Sequence, residues 1–326
     1  MRRHAMVLAA GLGTRLRPLT DVRAKAAMPL AGEPVIRRII AGLADQQVTT
    51  IVVNLHHRPD TITRQLGDGR DLGVDIRYSW EGTALLGSAG GPRVALPLLD
   101  SAPFVLVNGD TLTDVDLEAL RSAHASSGAL VTMALVPNLD PMRYGGVHID
   151  AQGHVTGFVP RGVSAIGSLH FTGVQMAAPE AFHAVPVGSP AATVGGLYEQ
   201  LIAARSGSIH GWISAARSLD IGTVADYWRT SQKLAADADD FGRGRGTQVH
   251  PKAHVRRSIL WDDVAVDRGA WLEDCIVTDG VKVHAGTRAQ RSILLHRGGA
   301  LVTVSFDEAG VPREPATDRQ GPGSQL

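Results

Sequence analysis

The C-terminal part of the chain repeats itself every 17 residues, and this repeat limits the possible folds more than any other feature. Apolar or small residues return at matching positions, which are Thr247/Val264/Val281, Val249/Val266/Val283, Ala253/Ala270/Thr287 and Ile259/Ile276/Ile293. Within each unit they recur every five or six residues. An α-helix turns every 3.6 residues, so this spacing cannot keep them on one helical face. Short strands joined by tight corners can, and the repeat therefore predicts three stacked coils of a β-solenoid.

The first 135 residues instead alternate short apolar runs with amphipathic stretches of helical length. The apolar runs are 5–10, 50–55, 74–78, 104–108 and 130–136, and the amphipathic stretches are 33–47, 59–66, 88–99 and 114–124. This alternation predicts a mostly parallel, Rossmann-like sheet with helices on both faces. A hairpin over 145–159, an apolar run at 169–176 and helices at 196–205 and 223–234 are expected to complete the α/β domain.

Composition suggests where the domains end. Residues 236–246 are rich in glycine and charge and lack periodicity, which is typical of a linker. We therefore predict an α/β domain over 1–235, a linker over 236–246, the repeat domain over 247–304 and a flexible tail over 305–326.

Charge and composition exclude several classes of protein. The 32 basic and 32 acidic residues balance, which argues against a general nucleic-acid or membrane-surface binder. No apolar run approaches the roughly 20 residues that cross a bilayer, and the N-terminus does not read as a secretion signal, so we expect a cytoplasmic protein. The single cysteine, Cys275, excludes an intramolecular disulfide and a cysteine-rich zinc site, and we expect a structural thiol there.

The overall charge balance hides a local excess, because residues 1–25 hold six Lys or Arg and one Asp. Within them, residues 9–20 read A-A-G-L-G-T-R-L-R-P-L-T after the first predicted strand. Glycines allow sharp turns and bring bare N–H groups close to a ligand, and the cations suit phosphate. The residues of this predicted polyphosphate cradle are Gly11, Gly13, Arg15, Arg17 and Lys25. The string is not a dinucleotide-binding fingerprint, which would need a glycine where Leu16 stands and an acidic residue near Asn54. It is not a P-loop either, because the sequence Gly-Lys-Ser/Thr is absent.

The string at 9–20 resembles the signature of the sugar-1-phosphate nucleotidylyltransferases, the NDP-sugar pyrophosphorylases. Further segments resemble that family's motifs in the same order, at 25–34 (K-A-A-M-P-L-A-G-E-P), 81–90 (E-G-T-A-L-L-G-S-A-G), 107–110 (V-N-G-D), 144–146 (Y-G-G) and 220–223 (D-I-G-T). The C-terminal repeat is similar to the left-handed hexapeptide β-helix of some members, such as mannose-1-phosphate guanylyltransferases. The resemblance implies the NDP-sugar transferase type of α/β fold followed by a short left-handed β-helix.

The resemblance also implies an enzyme that transfers a nucleotidyl group from an NTP to a sugar 1-phosphate, with Mg²⁺ held by Asp110 and Asp220. Arg15 would hold the departing β- and γ-phosphates, and Lys25 the α-phosphate or the sugar phosphate. The implied nucleotide-binding residues are Leu8, Ala9, Ala10, Gly11, Gly13, Thr14, Glu81, Gly87, Ser88, Ala89 and Gly90, and the implied sugar-phosphate residues are Gly145, Arg161 and Thr172. The implied partners are the two substrates and further copies of the chain through the β-helix, with neither nucleic acid nor membrane.

The acceptor-sugar segments depart from the family pattern. Where many members have E-K-P, residues 158–162 read F-V-P-R-G, and residues 171–173 read F-T-G in place of N-A-G. This resembles members that use UTP and N-acetylmuramic acid 1-phosphate, whereas the β-helix resembles mannose-type guanylyltransferases. We expect a mannose-1-phosphate guanylyltransferase-like enzyme. The alternative is a uridylyltransferase that acts on N-acetylmuramic acid 1-phosphate or on another hexose 1-phosphate. A regulatory nucleotide-binding paralogue with weak turnover is an alternative of another class, and an acyltransferase site in the β-helix would need more coils.

Overall fold

A computed structural model describes residues 3–100, 102–235, 239–307 and 312–313. The chain forms two compact units. The first comprises Met1–Leu12, Arg23–Met28 and Pro34–Asp220, and the second comprises Gly13–Val22, Pro29–Glu33 and Ile221–Leu326. Across the described ranges, every helix falls short of the length and apolarity that a membrane crossing needs.

Helices and strands alternate along much of the first unit, and most of the elements of the second unit are short strands. The α-helices are α1 (Val35–Asp45), α2 (Pro59–Leu66), α3 (Gly87–Ala95), α4 (Leu117–Ser127), α5 (Tyr198–Ala204) and α6 (Val224–Leu234). Short 3-10 helices cover Thr14–Leu16, Leu19–Asp21, Lys25–Ala27, Arg70–Leu72, Leu96–Leu98, Val163–Ala165 and Pro179–Phe182. The strands are β1 (His4–Leu8), β2 (Pro29–Leu30), β3 (Glu33–Pro34), β4 (Thr50–Leu55), β5 (Asp75–Trp80), β6 (Phe104–Asn108), β7 (Thr111–Thr113), β8 (Val131–Pro137), β9 (Gly146–Ile149), β10 (Val155–Val159), β11 (Leu169–Ala177), β12 (Ile209–Ile213), β13 (Ser218–Asp220), β14 (Asp240–Arg243), β15 (Gln248–Val249), β16 (His254–Arg256), β17 (Ser258–Leu260), β18 (Ala265–Val266), β19 (Trp271–Glu273), β20 (Ile276–Val277), β21 (Lys282–Val283), β22 (Arg288–Gln290), β23 (Ser292–Arg297), β24 (Ala300–Phe306) and β25 (Pro312–Arg313).

The first unit is built on a sheet whose central part is parallel. Its strands lie in the order β10-β9-β11-β6-β1-β4-β5, with β8 paired to β11 and β12 paired to β8. β1 runs parallel to β4 and β6, and β4 runs parallel to β5. β11 runs antiparallel to both β6 and β8. The predicted α/β fold with a mostly parallel core is confirmed, and an antiparallel section follows β6.

Apolar patterning explains where the central elements lie. All of β4 is buried, as is β6 apart from its last residue, and these strands match the apolar runs at 50–55 and 104–108. The buried stripe of α1 follows helical spacing and consists of Val35, Ile36, Ile39, Ile40 and Leu43. The core cluster of the sheet includes Met6, Val52, Phe104, Leu106 and Met133. Each such side chain contributes roughly 1.5–3 kcal/mol by leaving water.

A short ladder joins distant parts of the first unit. β7 follows β6 almost directly and pairs antiparallel with β13, with Ser218 opposite Thr113 and Asp220 opposite Thr111. Beyond the other end of the ladder, the Asp114 carboxylate accepts from the backbone N and the Nε of Arg217 at 2.6 and 2.9 Å. The ladder therefore fixes Asp220 close to the carboxyl end of β6.

The second unit contains the β-helix. Its strands stack in parallel on three faces, as β15-β18-β21, β16-β19-β22 and β14-β17-β20-β23. Paired residues are 17 apart in sequence, as in Val249, Val266 and Val283. One 17-residue repeat is therefore one coil. The predicted C-terminal β-helix is confirmed, and parallel strands on three faces are the arrangement of the left-handed hexapeptide type.

Apolar side chains fill the coils. They include Leu260, Val264, Val266, Leu272, Val277, Val281 and Val283. Cys275 is fully buried among them, and burial raises the pKa of its thiol to about 12, as expected of a structural thiol. Trp261 is also buried and donates from Nε1 to the Tyr227 hydroxyl at 3.0 Å. Trp271 stacks on His254 of the preceding coil, with ring centroids 5.4 Å apart.

Residues with left-handed backbone recur at two corners of the coils, 17 residues apart. Gly246, Asp263 and Gly280 have φ values of 70°, 57° and 66°, and Arg257, Asp274 and Arg291 have φ values of 46°, 55° and 45°. A non-glycine residue in this region costs about 1–2 kcal/mol. At Arg257, ion pairs with Glu273 and Asp274, both at 2.7 Å, offset part of that cost.

The unit boundaries differ from the predicted domains. Residues 240–243, placed in the linker by their composition, form β14, which pairs in parallel with β17. The glycine there serves a close approach, since a Cβ at Gly242 would lie 2.6 Å from the Cα of Ala31. β24 continues to Phe306, beyond the predicted end at 304, because it pairs antiparallel with β23. Residues 236–238 of the predicted linker and residues 308–311 and 314–326 of the predicted tail lie outside the described residues.

Helix α6, predicted to close the α/β domain, belongs to the second unit. The Tyr227 hydroxyl donates to the Pro29 carbonyl at 2.5 Å and accepts from the Trp261 indole, so three separate segments of that unit meet at one side chain. These partners are invisible to local sequence patterns, which explains the difference.

Candidate active site

The chain that follows β6 carries the first predicted metal ligand. The Gly109 N–H donates to the Leu8 carbonyl at 2.9 Å, and a Cβ at Gly109 would lie 2.5 Å from that oxygen. Only glycine permits this approach without displacing the end of β1. Asp110 is therefore held at the carboxyl ends of the parallel strands β1 and β6, the edge where open α/β sheets bind ligands.

The β7–β13 ladder brings the second predicted metal ligand to the same edge. Asp220 is the Cα partner of Thr111, the residue directly after Asp110. Residues paired across antiparallel strands lie roughly 4.5–5.5 Å apart, so the two aspartates are near neighbours despite their separation in sequence. The donor set fits Mg²⁺, which prefers oxygen ligands and is commonly bound by one or two carboxylates together with water and substrate phosphates. Among the described residues, no group of three or more His, Cys, Asp or Glu is placed to hold a metal without such help.

Each aspartate is paired with a basic side chain. Lys25 Nζ contacts Asp110 Oδ2, and the Arg143 guanidinium contacts Asp220 Oδ1. The Tyr144 hydroxyl also donates to Asp220 Oδ1, at 3.0 Å. Sequence reasoning singled out Lys25 but missed Arg143. Its adjacency to the Y-G-G segment was the available signal.

The Tyr144 ring packs on His170, with centroids 4.2 Å apart. Burial lowers the pKa of His170 below the usual 6.5, and Arg143 acts in the same direction, against the raising effects of the Gly145 backbone and Asp220. The imidazole is therefore neutral at pH 7 and adds no positive charge beside Asp220 and Tyr144.

Glu81 lies in a hydrogen-bonded chain and not on the open surface. Its carboxylate accepts from Asn54 Nδ2 at 2.6 Å and from the Leu86 N–H at 2.7 Å. Asn54 Oδ1 in turn accepts from the Ala9 N–H at 2.7 Å. Glu81 is only 4% exposed. Glu81, which we predicted to bind the nucleotide, thus has hydrogen bonds that position two loops.

The segment Gly87–Gly90 begins α3 and is pressed against the chain at 189–193. Gly87 has φ +75°, and a Cβ there would lie 2.7 Å from the Ala191 carbonyl, to which the Ala89 N–H donates at 2.9 Å. Ser88 Oγ lies 2.9 Å from Thr193 Oγ1, and Ala89 and Gly90 are buried. These glycines therefore serve packing as well as any approach to a ligand.

The glycine-rich string is divided between the two units. In the first unit, Leu8 is half-buried, Ala9 and Ala10 are buried and Gly11 is exposed. In the second unit, Gly13 has φ +60° and precedes the 3-10 helix Thr14–Leu16, in which Thr14 and Arg15 are exposed. The Thr20 hydroxyl donates to the Gly13 carbonyl at 3.0 Å and fixes this turn.

Of the predicted acceptor residues, Gly145 and Arg161 are brought together, since a Cβ at Gly145 would lie 3.9 Å from the Arg161 backbone N. Gly145 and Arg161 are exposed, in agreement with a binding role. Thr172 is only 1% exposed, and its hydroxyl donates to the Ala134 carbonyl at 3.0 Å inside the sheet. The Thr172 side chain is therefore directed into the sheet, a direction on which the F-T-G match carried no information, and its contact with the sugar phosphate stays a prediction.

Comparison with known proteins identifies the family. The profile of the family described as "Nucleotidyl transferase" matches residues 4–237, and that of the "GlmU-like, C-terminal hexapeptide" family matches residues 244–297. The chain belongs to the nucleotidyl transferase family. The implied membership of the sugar-1-phosphate nucleotidylyltransferases, with a hexapeptide β-helix, is confirmed, and the protein is a nucleotidyltransferase.

Relatives of this nucleotidyltransferase carry different substrate names. The UTP–glucose-1-phosphate uridylyltransferase of Synechocystis sp. is 29% identical over 99% of this chain and 85% of its own. The mannose-1-phosphate guanylyltransferase of Mycobacterium tuberculosis is 30% identical over 88% of this chain and 83% of its own. The N-acetylmuramate α-1-phosphate uridylyltransferase of Neisseria meningitidis is 36% identical over 68% of this chain and 93% of its own.

Proposed function

We propose that this nucleotidyltransferase transfers a nucleotidyl group from an NTP to a sugar 1-phosphate. An oxygen of the sugar phosphate attacks the α-phosphorus, the bond from that phosphorus to the oxygen bridging to the β-phosphate breaks, and pyrophosphate leaves. The adjacent aspartates, each with its own cation, carry the proposal. Because both reactants are polyanions, positioning and charge neutralisation are what the protein has to provide.

Asp110 and Asp220 are the proposed ligands of Mg²⁺. When bound, the ion would neutralise charge that develops on the α-phosphate. Gly109 sets the position of Asp110 through its contact with Leu8, and Tyr144 orients Asp220 by donating to it.

Lys25 and Arg15 are the proposed phosphate contacts. Lys25 approaches the aspartates from the 3-10 helix Lys25–Ala27, and we assign it to the α-phosphate or the acceptor phosphate. Arg15 is assigned to the β- and γ-phosphates that leave as pyrophosphate, which suits its exposure and the forked shape of its guanidinium.

Base recognition is assigned to the backbone of Ala9–Gly11 and Gly87–Gly90. The hydrogen-bonded chain from the Ala9 N–H through Asn54 and Glu81 to the Leu86 N–H supports this assignment, because it ties the two segments to one buried strand end. A fixed distance between backbone donors is what discrimination between base edges requires.

For the substrates we propose GTP and mannose 1-phosphate. The Mycobacterium tuberculosis relative, whose similarity extends through 88% of the chain, supports this pair, while the β-helix does not decide the base because the Synechocystis uridylyltransferase matches 99% of the chain. Uridylyl transfer is the second candidate. The Neisseria meningitidis relative supports it, as does Pro160, which stands before Arg161 where a sugar-binding carboxylate would otherwise precede the cation.

A substrate matrix tests the proposal. GTP, UTP, ATP and dTTP are each combined with mannose, glucose and N-acetylmuramic acid 1-phosphates, with and without Mg²⁺, and pyrophosphate release is measured. We expect turnover to need Mg²⁺ and to be fastest with GTP and mannose 1-phosphate. Arg15→Ala and Lys25→Ala should each lower kcat roughly 10²–10³-fold, whereas Arg64→Ala, an exposed position on α2, should not. A wild-type protein that turns over no combination would overturn the proposal and favour the regulatory paralogue.

Self-association through the β-helix is also proposed. On one face, β14 and β24 continue the sheet of β17, β20 and β23, so the chain extends that face itself. On the other two faces, the described sheets end at the outer strands β15, β21, β16 and β22. A second copy seated on these ends would cover their backbone groups, and sedimentation of a strict monomer would count against the idea.

A further inference from the structure

Two ion pairs lie at one end of the β7–β13 ladder, because Asp220 is the Cα partner of Thr111, which directly follows Asp110. Lys25 is paired with Asp110, and Arg143 is paired with Asp220. Their side chains are between 16% and 33% exposed, so a ligand can reach them although water screens them only partly. Within these two pairs, the two positive and two negative charges sum to zero.

If Asp110 and Asp220 held a divalent cation, this balance would be disturbed. The cation would take over the neutralisation of Asp110 and Asp220, and Lys25 and Arg143 would then be available to other anions. The reaction brings two phosphate groups together, the α-phosphate of the NTP and the monoester of the acceptor. Two released cations therefore match two arriving phosphates.

We propose that Arg143 forms the subsite for the phosphate monoester of the acceptor, an inference that rests on the proposed function. The planar guanidinium can bind two phosphate oxygens at once. Tyr144 fixes the orientation of this group, because the Arg143 Cζ lies 4.8 Å from the centroid of its ring. Gly145, exposed beside it, presents backbone without a side chain to the ligand. Lys25 is then left for the α-phosphate, which decides between its two possible roles.

A second arginine–aspartate pair near the ladder provides a control for loss of an arginine charge. Arg217 lies beyond the opposite end and pairs with Asp114, Nε to Oδ2, at 2.9 Å. Arg143 and Arg217 thus each form an ion pair with an aspartate of the first unit. Only the partner of Arg143, Asp220, is a proposed metal ligand. A general effect of removing a positive charge near the ladder would appear in both variants, whereas loss of a subsite would affect Arg143 alone.

The first measurement is steady-state kinetics with the best substrate pair of the matrix. Arg143→Ala should raise KM for the sugar 1-phosphate roughly 10- to 100-fold, the usual effect of losing a hydrogen bond to a charged group. KM for the NTP should change less than about threefold, and Arg143→Lys should recover part of the loss. Arg217→Ala should leave both constants near their wild-type values.

The second measurement uses Mn²⁺ alone, titrated into substrate-free protein and followed by electron paramagnetic resonance. Arg143 competes with the metal for Asp220, so Arg143→Ala should bind Mn²⁺ roughly two- to fivefold more tightly, as expected for removal of a partly exposed ion pair. A residue that served only to hold Asp220 in place would give the opposite result, weaker Mn²⁺ binding.

The inference is overturned if Arg143→Ala leaves the acceptor KM unchanged, or if it weakens Mn²⁺ binding. Wild-type protein that turns over no sugar phosphate would instead contradict the proposed function. In that case calorimetric titration of mannose 1-phosphate into Mn²⁺-loaded wild type, Arg143→Ala and Arg217→Ala replaces the KM comparison. Equal affinities of the three proteins would then overturn the subsite separately. Circular dichroism and thermal unfolding establish that each variant is folded.

Discussion

Asn54 shows how one polar residue in a buried strand organises two loops, and it supports a prediction at the scale of single atoms. Asn54→Asp would set two carboxylates face to face, and we expect it to lower the free energy of unfolding by about 3–5 kcal/mol. Glu81→Gln should cost about 1–3 kcal/mol, because any rotation of the two amides leaves one N–H group of the chain facing another N–H group. The double variant restores the order of donors and acceptors from Ala9 to Leu86, so it should be more stable than either single variant. Urea unfolding of the four proteins measures the coupling, and additive losses would contradict it.

The same residues show how much of the candidate site could be predicted from the sequence. Residue types follow from the chemistry, and the glycines, Lys25 and the two aspartates are all identifiable without the fold. The direction of a side chain is not, and Thr172 faces the sheet interior while Glu81 bonds to Asn54. In the sequence, Asn54 is notable only because it ends the second strand where a dinucleotide-binding fingerprint would have an acidic residue. A polar side chain in an otherwise apolar, buried strand was the signal that it had a partner.

At the scale of elements, the corners of the β-helix lead to a second prediction. Gly280 has φ +66°, and a Cβ there would meet nothing within 4 Å, so backbone strain alone sets the effect of a substitution. Gly280→Ala should lower the free energy of unfolding by about 1–2 kcal/mol. Gly280→Asn should cost less, because asparagine tolerates this conformation, as Asp263 does one coil earlier. Reaction of the buried Cys275 with a thiol reagent during urea unfolding follows this unit, and equal losses in the two variants would contradict the argument.

Elements were predictable in proportion to their apolar content. β4 and β6 match their predicted bounds, and the 17-residue register is readable from the sequence because every coil repeats the same inward positions. β7 and β13 were missed, since each has three residues and its partner lies about a hundred residues away. β12 was missed because His210 and Gly211 interrupt its apolar character, although it pairs in parallel with β8. The short β7–β13 ladder, which brings the two aspartates of the candidate site to one edge, is thus the part least visible in the sequence.

At the scale of the whole molecule, histidine burial predicts that acid acts on the two units differently. Burial lowers the pKa values of His124, His170 and His210 in the first unit below 6.5. The unfolded chain then binds protons more readily than the folded chain, so the free energy of unfolding of this unit should fall as the pH drops below about 6.5. The described histidines of the second unit are exposed, and they are His250, His254, His284 and His296. Hydrogen exchange at pH 7.5 and 5.5, corrected for intrinsic rates, should show lost protection in β8 and β11 but not in β17 and β20. A uniform loss would contradict the prediction.

The constant 17-residue register has a consequence for how such a chain can change length. Val266 stacks between Val249 of the preceding coil and Val283 of the following coil. A further coil produced by an in-frame duplication could stack on its neighbours through the same contacts. The rod can therefore grow or shrink in whole steps without any other part of the sequence being rewritten. A tandem duplication is the simplest genetic event that keeps every corner in register, and the β-helix is built so that this event yields a folded product.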